Sequence, residues 1–284
     1  MIIDFHTHVF PPQIKRNRGK YIEADPCFAL LYSQKDARLA TADELVTSMD
    51  KEGVDISVIT NIGWITHELC IETNDYILES IARYPKRLIG FGAVQPGSYQ
   101  AALDEIERCA SGGIKGIGEL RPDVQLLDIT DRQLMSPFME SLKKHKLTLL
   151  VHASEPVGHH YPGKGSITPR LLYSLITDFP EVPIVCAHWG GGLPFYALMP
   201  EVKKALKNVY FDTAASPFLY SPEVYRQVSQ LVGDDKVLFG SDWPLLSPGR
   251  LLKEINSLNL PEATRDLILA GNARKLLGIV DKQA

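Results

Sequence analysis

The sequence predicts an α/β fold in which eight parallel strands close into a (β/α)8 barrel of the TIM type. Three observations carry that prediction. Eight short apolar runs recur along the chain, each followed by a helix-patterned segment, and this alternation is the order that parallel pairing requires. The 284 residues accommodate eight such units in one barrel domain spanning 1–284. No Gly-x-Gly-x-x-Gly follows the first strand, which speaks against an open, doubly wound sheet.

The first strand lies within Met1–His8. Val9–Ala40 is rich in Pro, Lys, Arg and Tyr and has no clean periodicity, so it is expected to be a loop excursion over the barrel. Thr41–Glu44 is a capping box; Leu45, Val46 and Met49 form the apolar stripe behind it, and Gly53 is the stop. Val54–Thr60 follows as a buried strand, then a helix within Glu68–Tyr84. Strands at Arg87–Val94 and Ile114–Leu120 flank a helix around Tyr99–Ala110. Asp131–His145 reads as a helix behind a Thr130/Gln133 capping pair. Next come strand Leu147–His152, helix Thr168–Phe179, strand Val182–His188, helix Pro194–Leu206 and strand Asn208–Thr213. Ser221-Pro222 and Ser247-Pro248 each place Ser at an N-cap and Pro at the first helical position, on either side of the last strand, Lys236–Ser241. A helical tail, Ala263–Ile279, is expected to cover the outside of the barrel or one of its ends.

Composition narrows the class of protein. A formal net charge of −4 with no basic block excludes a nucleic-acid partner from the expectations. Cys27, Cys70, Cys109 and Cys186 form no Cys-x-x-Cys pair and read as reduced thiols. No targeting segment and no membrane-spanning run are visible, so a cytoplasmic protein with no membrane partner is expected. A small-molecule substrate is the expected partner, with a homodimer the common assembly of such barrels.

Chemistry in this fold sits at the C-terminal ends of the strands. His6-Thr7-His8 places two imidazoles on one face of an extended strand, which is half of a metal site, although such a pair alone is more often a pair of surface histidines. The other ends supply partners: Gly118-Glu119-Leu120-Arg121 on strand four, Val151-His152 on strand five, Ala187-His188 on strand six and Ser241-Asp242-Trp243 on strand eight. Four of the chain's eight histidines, together with Glu119 and Asp242, thus fall at equivalent places. That concentration favours a metal centre over a set of unrelated core histidines and capping carboxylates.

Asp4-Phe-His-Thr-His8, Ala187-His-Trp-Gly-Gly191, Phe239-Gly-Ser-Asp-Trp-Pro244 and Gly271-Asn-Ala-Arg-Lys-Leu-Leu-Gly278 resemble the amidohydrolase superfamily, in its amidohydrolase-related branch. That branch holds metal-dependent hydrolases, lactonases and aminocarboxymuconate-semialdehyde-type decarboxylases. The resemblance implies one divalent ion, usually zinc, held by His6, His8, His152 and Asp242, with His188 beside it. Some relatives bridge two metals with a carboxylated lysine where this chain has Glu119. The nearest lysine, Lys115, lies about 13 Å down the strand at ~3.3 Å per residue, so a single ion is expected. Glu119 either touches that ion or holds Arg121 or a ligand histidine.

On that resemblance the first expectation is a hydrolase that cleaves a C–N or C–O bond of a small molecule with a metal-activated water of pKa roughly 7. Asp242 would shuttle the proton and His188 would stabilise charge on the substrate oxygen. The alternative is a non-oxidative decarboxylase of a small carboxylated ring or unsaturated acid, which would use the same residues. A metal-holding barrel that binds a small molecule without turnover is the reading from another class. Arg121 is a candidate for pairing a substrate carboxylate. Trp64, His67 and Trp243, with Trp189 and the His159-His160 pair, are placed on the catalytic side as candidate pocket residues. Asp4 shares the strand parity of His6 and is expected to orient a strand or a ligand, and Cys186 is expected to be a core hydrophobe.

Overall fold

The computed structural model describes residues 1–279, and the strands follow the predicted order. They are β1 (Ile3–His8), β2 (Ile56–Thr60), β3 (Leu88–Gly92), β4 (Gly116–Leu120), β5 (Thr148–Val151), β6 (Ile184–Cys186), β7 (Val209–Asp212) and β8 (Val237–Leu238). Each is parallel to the next in one 8-stranded sheet. The barrel closes where the Phe5 N–H donates to the Phe239 carbonyl at 2.7 Å and the His8 N–H to the Trp243 carbonyl at 2.7 Å. Side chains alternate between two apolar layers, as the strand period of two requires. On β5, Leu150 joins an inner cluster with Ile3, Phe5, Phe91 and Leu238, whereas Leu149 and Val151 face the helices with Ile59, Ile117 and Phe211.

Two strands break that alternation, and both carry candidate site residues. Between Asp4 and Thr7, β1 advances three residues while β2 advances from Ser57 to Ile59. Between Ile117 and Leu120, β4 does the same against Leu149 and Val151 of β5. An extra residue of this kind re-aims the side chains after it. The parity that linked Asp4 to His6 therefore fails. Asp4 instead accepts hydrogen bonds from the Ser241 N–H at 2.9 Å, the Ser241 hydroxyl and the His6 N–H at 3.3 Å.

The capping box stands as predicted: Thr41 and Glu44 cap each other at the start of helix Ala42–Glu52, and Gly53 ends it at φ 73°. Four local expectations need correction. The excursion is not a loop but three short helices, Pro12–Arg16, Arg18–Ala24 and Pro26–Tyr32. Asp25 caps the last of them by accepting from the Phe28 N–H at 2.9 Å, and it also accepts from the Ile65 N–H at 2.8 Å. Helix Arg132–His145 is capped by Asp131, which accepts from the Gln133 and Leu134 N–H groups, while Thr130 turns back to Asp128. The expected helix Pro194–Leu206 is a 3-10 turn, Leu193–Leu198, and a separate helix, Pro200–Ala205, because Pro200 cannot continue the first. Helix Val224–Val232 starts beyond Ser221-Pro222.

The tail packs Ala270, Ala273 and Leu277 into the inner cluster. It also completes β8: the Phe239 N–H donates to the Ile268 carbonyl at 3.0 Å, and the Asn272 amide donates to the Asp234 and Val237 carbonyls at 2.7 and 2.8 Å. All four cysteines are free and buried. Among the described residues, no helix is long and apolar enough to cross a membrane.

Candidate metal centre

The structure gathers six of the predicted residues, from five strand ends, into one buried cluster. The His6 and His8 Nε2 atoms stand 3.1 Å apart, and Asp242 Oδ1 lies 3.2 Å from His8 Nε2 and 3.9 Å from His6 Nε2. Glu119 Oε2 is 3.9 Å from both imidazoles. Its other oxygen, Oε1, meets His152 Nδ1 at 2.9 Å and His188 Nε2 at 3.2 Å. Glu119 is thus the shared member of two groups that could hold an ion: His6, His8 and Glu119, and Glu119, His152 and His188.

The local backbone explains this convergence. Glu119 sits at the β4 irregularity, where its N–H donates to the Asn61 carbonyl at 3.0 Å. His188 is not on a strand, as expected from Val182–His188, because β6 ends at Cys186. It opens a run of left-handed residues, His188, Trp189, Gly190, Gly191 and Gly192, with φ of 55°, 57°, 58°, 57° and 94°. Asp212 holds that turn by accepting from the His188 N–H at 2.8 Å and the Ala214 N–H at 3.1 Å with one oxygen. With the other it meets His6 Nδ1 at 2.8 Å.

The charges are interlocked. Burial opposes protonation of His6, but the Asp212 carboxylate, then Glu119 and Asp242, outweigh it and raise the imidazole to about 10. Burial likewise opposes protonation of His188, and the bond and charge of Glu119 raise it to about 9. Burial works against ionisation of both carboxylates, but the imidazoles win. They hold Glu119 well below the usual range and Asp242 at about 2. His152 is lowered, by burial first and by the Arg121 charge second. Asp4, buried away from solvent, is raised to about 7.

This donor set fits a cation. With Asp212 at His6 Nδ1, His6 Nε2 is turned toward His8 Nε2 at 3.1 Å, and with their protons removed the two nitrogens would offer lone pairs to one point beside Asp242 Oδ1 and Glu119 Oε2, where a cation would hold them together. A carboxylate bonded to the far nitrogen is also how metal-binding histidines are oriented. The buried His8 Nδ1, by contrast, has no hydrogen-bond partner.

The remaining predicted residues are divided. Arg121 is only 2% exposed and lies two residues past Glu119. Its Nη2 donates to the Gly163 carbonyl, and its Nε has no hydrogen-bond partner, with Asp123 Oδ1 3.6 Å away. Trp64 is fully buried, stacked on Phe28 at 5.4 Å, and its indole N–H donates to Asn61 Oδ1 at 2.9 Å. His67 opens helix His67–Arg83. Among the described residues, neither Trp64 nor His67 makes a hydrogen bond or ion pair with the cluster. Trp243 serves the barrel's closure through its carbonyl. His159 and His160 are exposed, and Cys186 is a buried core residue as expected.

Three contributors escaped the sequence reading. Asp212 ends a strand just as Asp242 follows one, and that position was the signal available. Ser154 Oγ, 3.2 Å from His152 Nε2, has the weaker signal of lying two residues past a site histidine. Tyr32 comes from the excursion: burial keeps its phenol protonated, and the charges of Asp242 and Glu119 act in the same direction. Nothing in the sequence marks it.

Comparison with known proteins adds chemistry to this geometry. A family model described as amidohydrolase matches residues 3–279. The 2-amino-3-carboxymuconate-6-semialdehyde decarboxylase of Dictyostelium discoideum is 24% identical, over 98% of this chain and 91% of its own length. The 6-methylsalicylic acid decarboxylase of Penicillium expansum is 25% identical, over 99% of this chain and 98% of its own. The crystal structure of 5-carboxyvanillate decarboxylase from Novosphingobium aromaticivorans, complexed with manganese and 4-hydroxy-3-methoxy-5-nitrobenzoic acid, shares the fold. Its TM-score is 0.82 at 19% identity, over 98% of this chain and 96% of that one. These relatives correct the expectation of a hydrolase: the Dictyostelium and Penicillium proteins, which match along nearly the whole chain, are decarboxylases.

Proposed function

Because the chain belongs to the amidohydrolase family over residues 3–279, we propose that it is a metal-dependent, non-oxidative decarboxylase of a small aromatic or unsaturated carboxylic acid. The observation that carries the proposal is that curated relatives aligned over nearly its full length are decarboxylases. The buried, incompletely paired guanidinium of Arg121 supports it, because such a group suits a substrate carboxylate.

In this reading His6, His8, His152 and Asp242 would hold one divalent ion, with Glu119, which meets both histidine groups, alongside. Imidazole and carboxylate donors suit zinc and manganese alike. When bound, the ion supplies a Lewis-acid centre for a substrate oxygen next to the reacting carbon. The residues of the chain do the rest. Asp212 fixes the His6 tautomer, and Arg121 orients the acid. His188, whose Nε2 stands 3.2 Å from Glu119 Oε1, is the acid assigned to the carbon. The C–C bond breaks, CO2 leaves without the bonding pair, and that pair takes the proton from His188 Nε2. Water then restores the proton.

The test is to measure bound metal, reload the chain with manganese or zinc, and follow CO2 release from a panel of hydroxybenzoic, aminobenzoic and dienoic acids. Release from at least one, dependent on the ion, is expected. A chain carrying one ion that releases CO2 from none of them overturns the proposal.

A further inference from the structure

A cavity of about 390 Å3 opens among the loops after β5, β6 and β7, and the chemistry above leaves it unused. Its walls include Tyr161, Phe195, Tyr196, Leu219 and Tyr220, with Glu155 among them. Shared backbone ties it to the metal centre. Glu155 is three residues past His152, and Gly191 and Gly192, also in the wall, follow His188. At Gly191 a Cβ would collide with the Ser154 backbone, and at Gly192 it would stand 3.4 Å from the Tyr220 hydroxyl. Any side chain at Gly192 would therefore project toward the cavity's own wall.

The polar groups of the wall are not equivalent. Lys164 is already engaged: its Nζ donates to the Val157 and His159 carbonyls at 2.8 and 3.1 Å, and it lies 5.7 Å from the centre of the Tyr161 ring. Glu155 faces two phenols of the wall, those of Tyr161 and Tyr220, and its charge adds to burial in raising both. Its Oε2 accepts from the Tyr161 hydroxyl at 3.0 Å, while its Oε1 is buried without a hydrogen-bond partner. Aromatic walls accept a flat group. A carboxylate with a free buried oxygen wants a donor and repels a second carboxylate.

We infer that this cavity receives the part of the substrate remote from the reacting carboxylate, and that Glu155 selects there for a hydroxyl or amino group on a planar skeleton. The inference rests on the decarboxylase reading and narrows its substrate class to acids that carry a remote donor. Methyl-substituted acids and diacids are disfavoured.

Binding of 4-aminobenzoate, 4-hydroxybenzoate, 4-methylbenzoate and terephthalate to the manganese-loaded chain, by calorimetry, tests it. The two donor-bearing acids should bind at least about tenfold tighter than the other two, because a site built for a hydrogen bond rejects the analogue that lacks it. In Glu155→Gln, terephthalate should gain about tenfold as the repelling charge goes, with the manganese content unchanged. Unchanged ratios between wild type and Glu155→Gln overturn the inference, as does failure of all four acids to bind. CO2 release is followed separately. Selectivity lost in Glu155→Gln, with no CO2 from these acids or from the hydroxybenzoic, aminobenzoic and dienoic panel, overturns the decarboxylase reading and leaves the cavity assignment standing. CO2 release with selectivity unaltered in Glu155→Gln overturns the cavity assignment alone.

Discussion

At the level of single residues, the cluster is ordered by its carboxylates as much as by its imidazoles. Asp212 spends one oxygen on His6 Nδ1 and the other on the backbone N–H of His188, so it fixes a candidate ligand and the candidate acid together. Asp212→Asn is expected to weaken metal binding about 10–100-fold, read by competition with a chelator. His188→Gln should behave differently: retained metal, with CO2 release down about 100-fold or more, as loss of a general acid implies. The protonation pattern adds a pH dependence. With no ion bound, His6 and His188 are raised to about 10 and about 9, above the ordinary 6.5 of the unfolded chain. Their contribution to the stability of the metal-free protein is full below pH 6.5 and is lost as pH rises through 9 to 10. A cation held by His6 must displace the His6 proton. Metal affinity should therefore rise from pH 6.5 to pH 8.5 with measurable proton release, and a flat profile would contradict the assignment.

At the level of elements, legibility depended on length and period. The apolar strand runs and the Thr41–Glu44 box were readable because each signal is local and repeated. The bulges in β1 and β4 were not, because an extra residue changes which way a side chain points without changing any residue type. The excursion helices were missed for another reason: none exceeds seven residues, too few for a periodic stripe to show. The turn after β6 lies between these cases. Its three glycines, Gly190 to Gly192, were visible, but the left-handed geometry of His188 and Trp189 ahead of them was not. That turn is sterically closed, since Gly191 has φ 57° and no room for a Cβ beside Ser154. Gly191→Ala should destabilise the fold by about 2 kcal/mol or more, measured by denaturant unfolding, and should loosen metal binding as His188 shifts.

At the level of the whole molecule, the barrel's order was written in the alternation of strands and helices, and its C-terminal rim in the histidines and acids that follow the strands. The closure was less visible. The last strand has two residues, Val237 and Leu238, and relies on the tail through Ile268 and Asn272. The cluster itself spans the chain, since His6 is held by Asp212 across 206 positions and Asp4 by Ser241 across 237. During synthesis, then, the histidines of β1 leave the ribosome well ahead of their partners, His6 by 206 positions before Asp212. On the proposed ligand set, metal capture waits for the segment after β8 that carries Asp242. Ribosome-tethered chains ending at Leu238, with a linker that clears the exit tunnel, should retain no manganese and stay protease-sensitive, whereas chains extended to Gly278 should hold the ion and resist digestion.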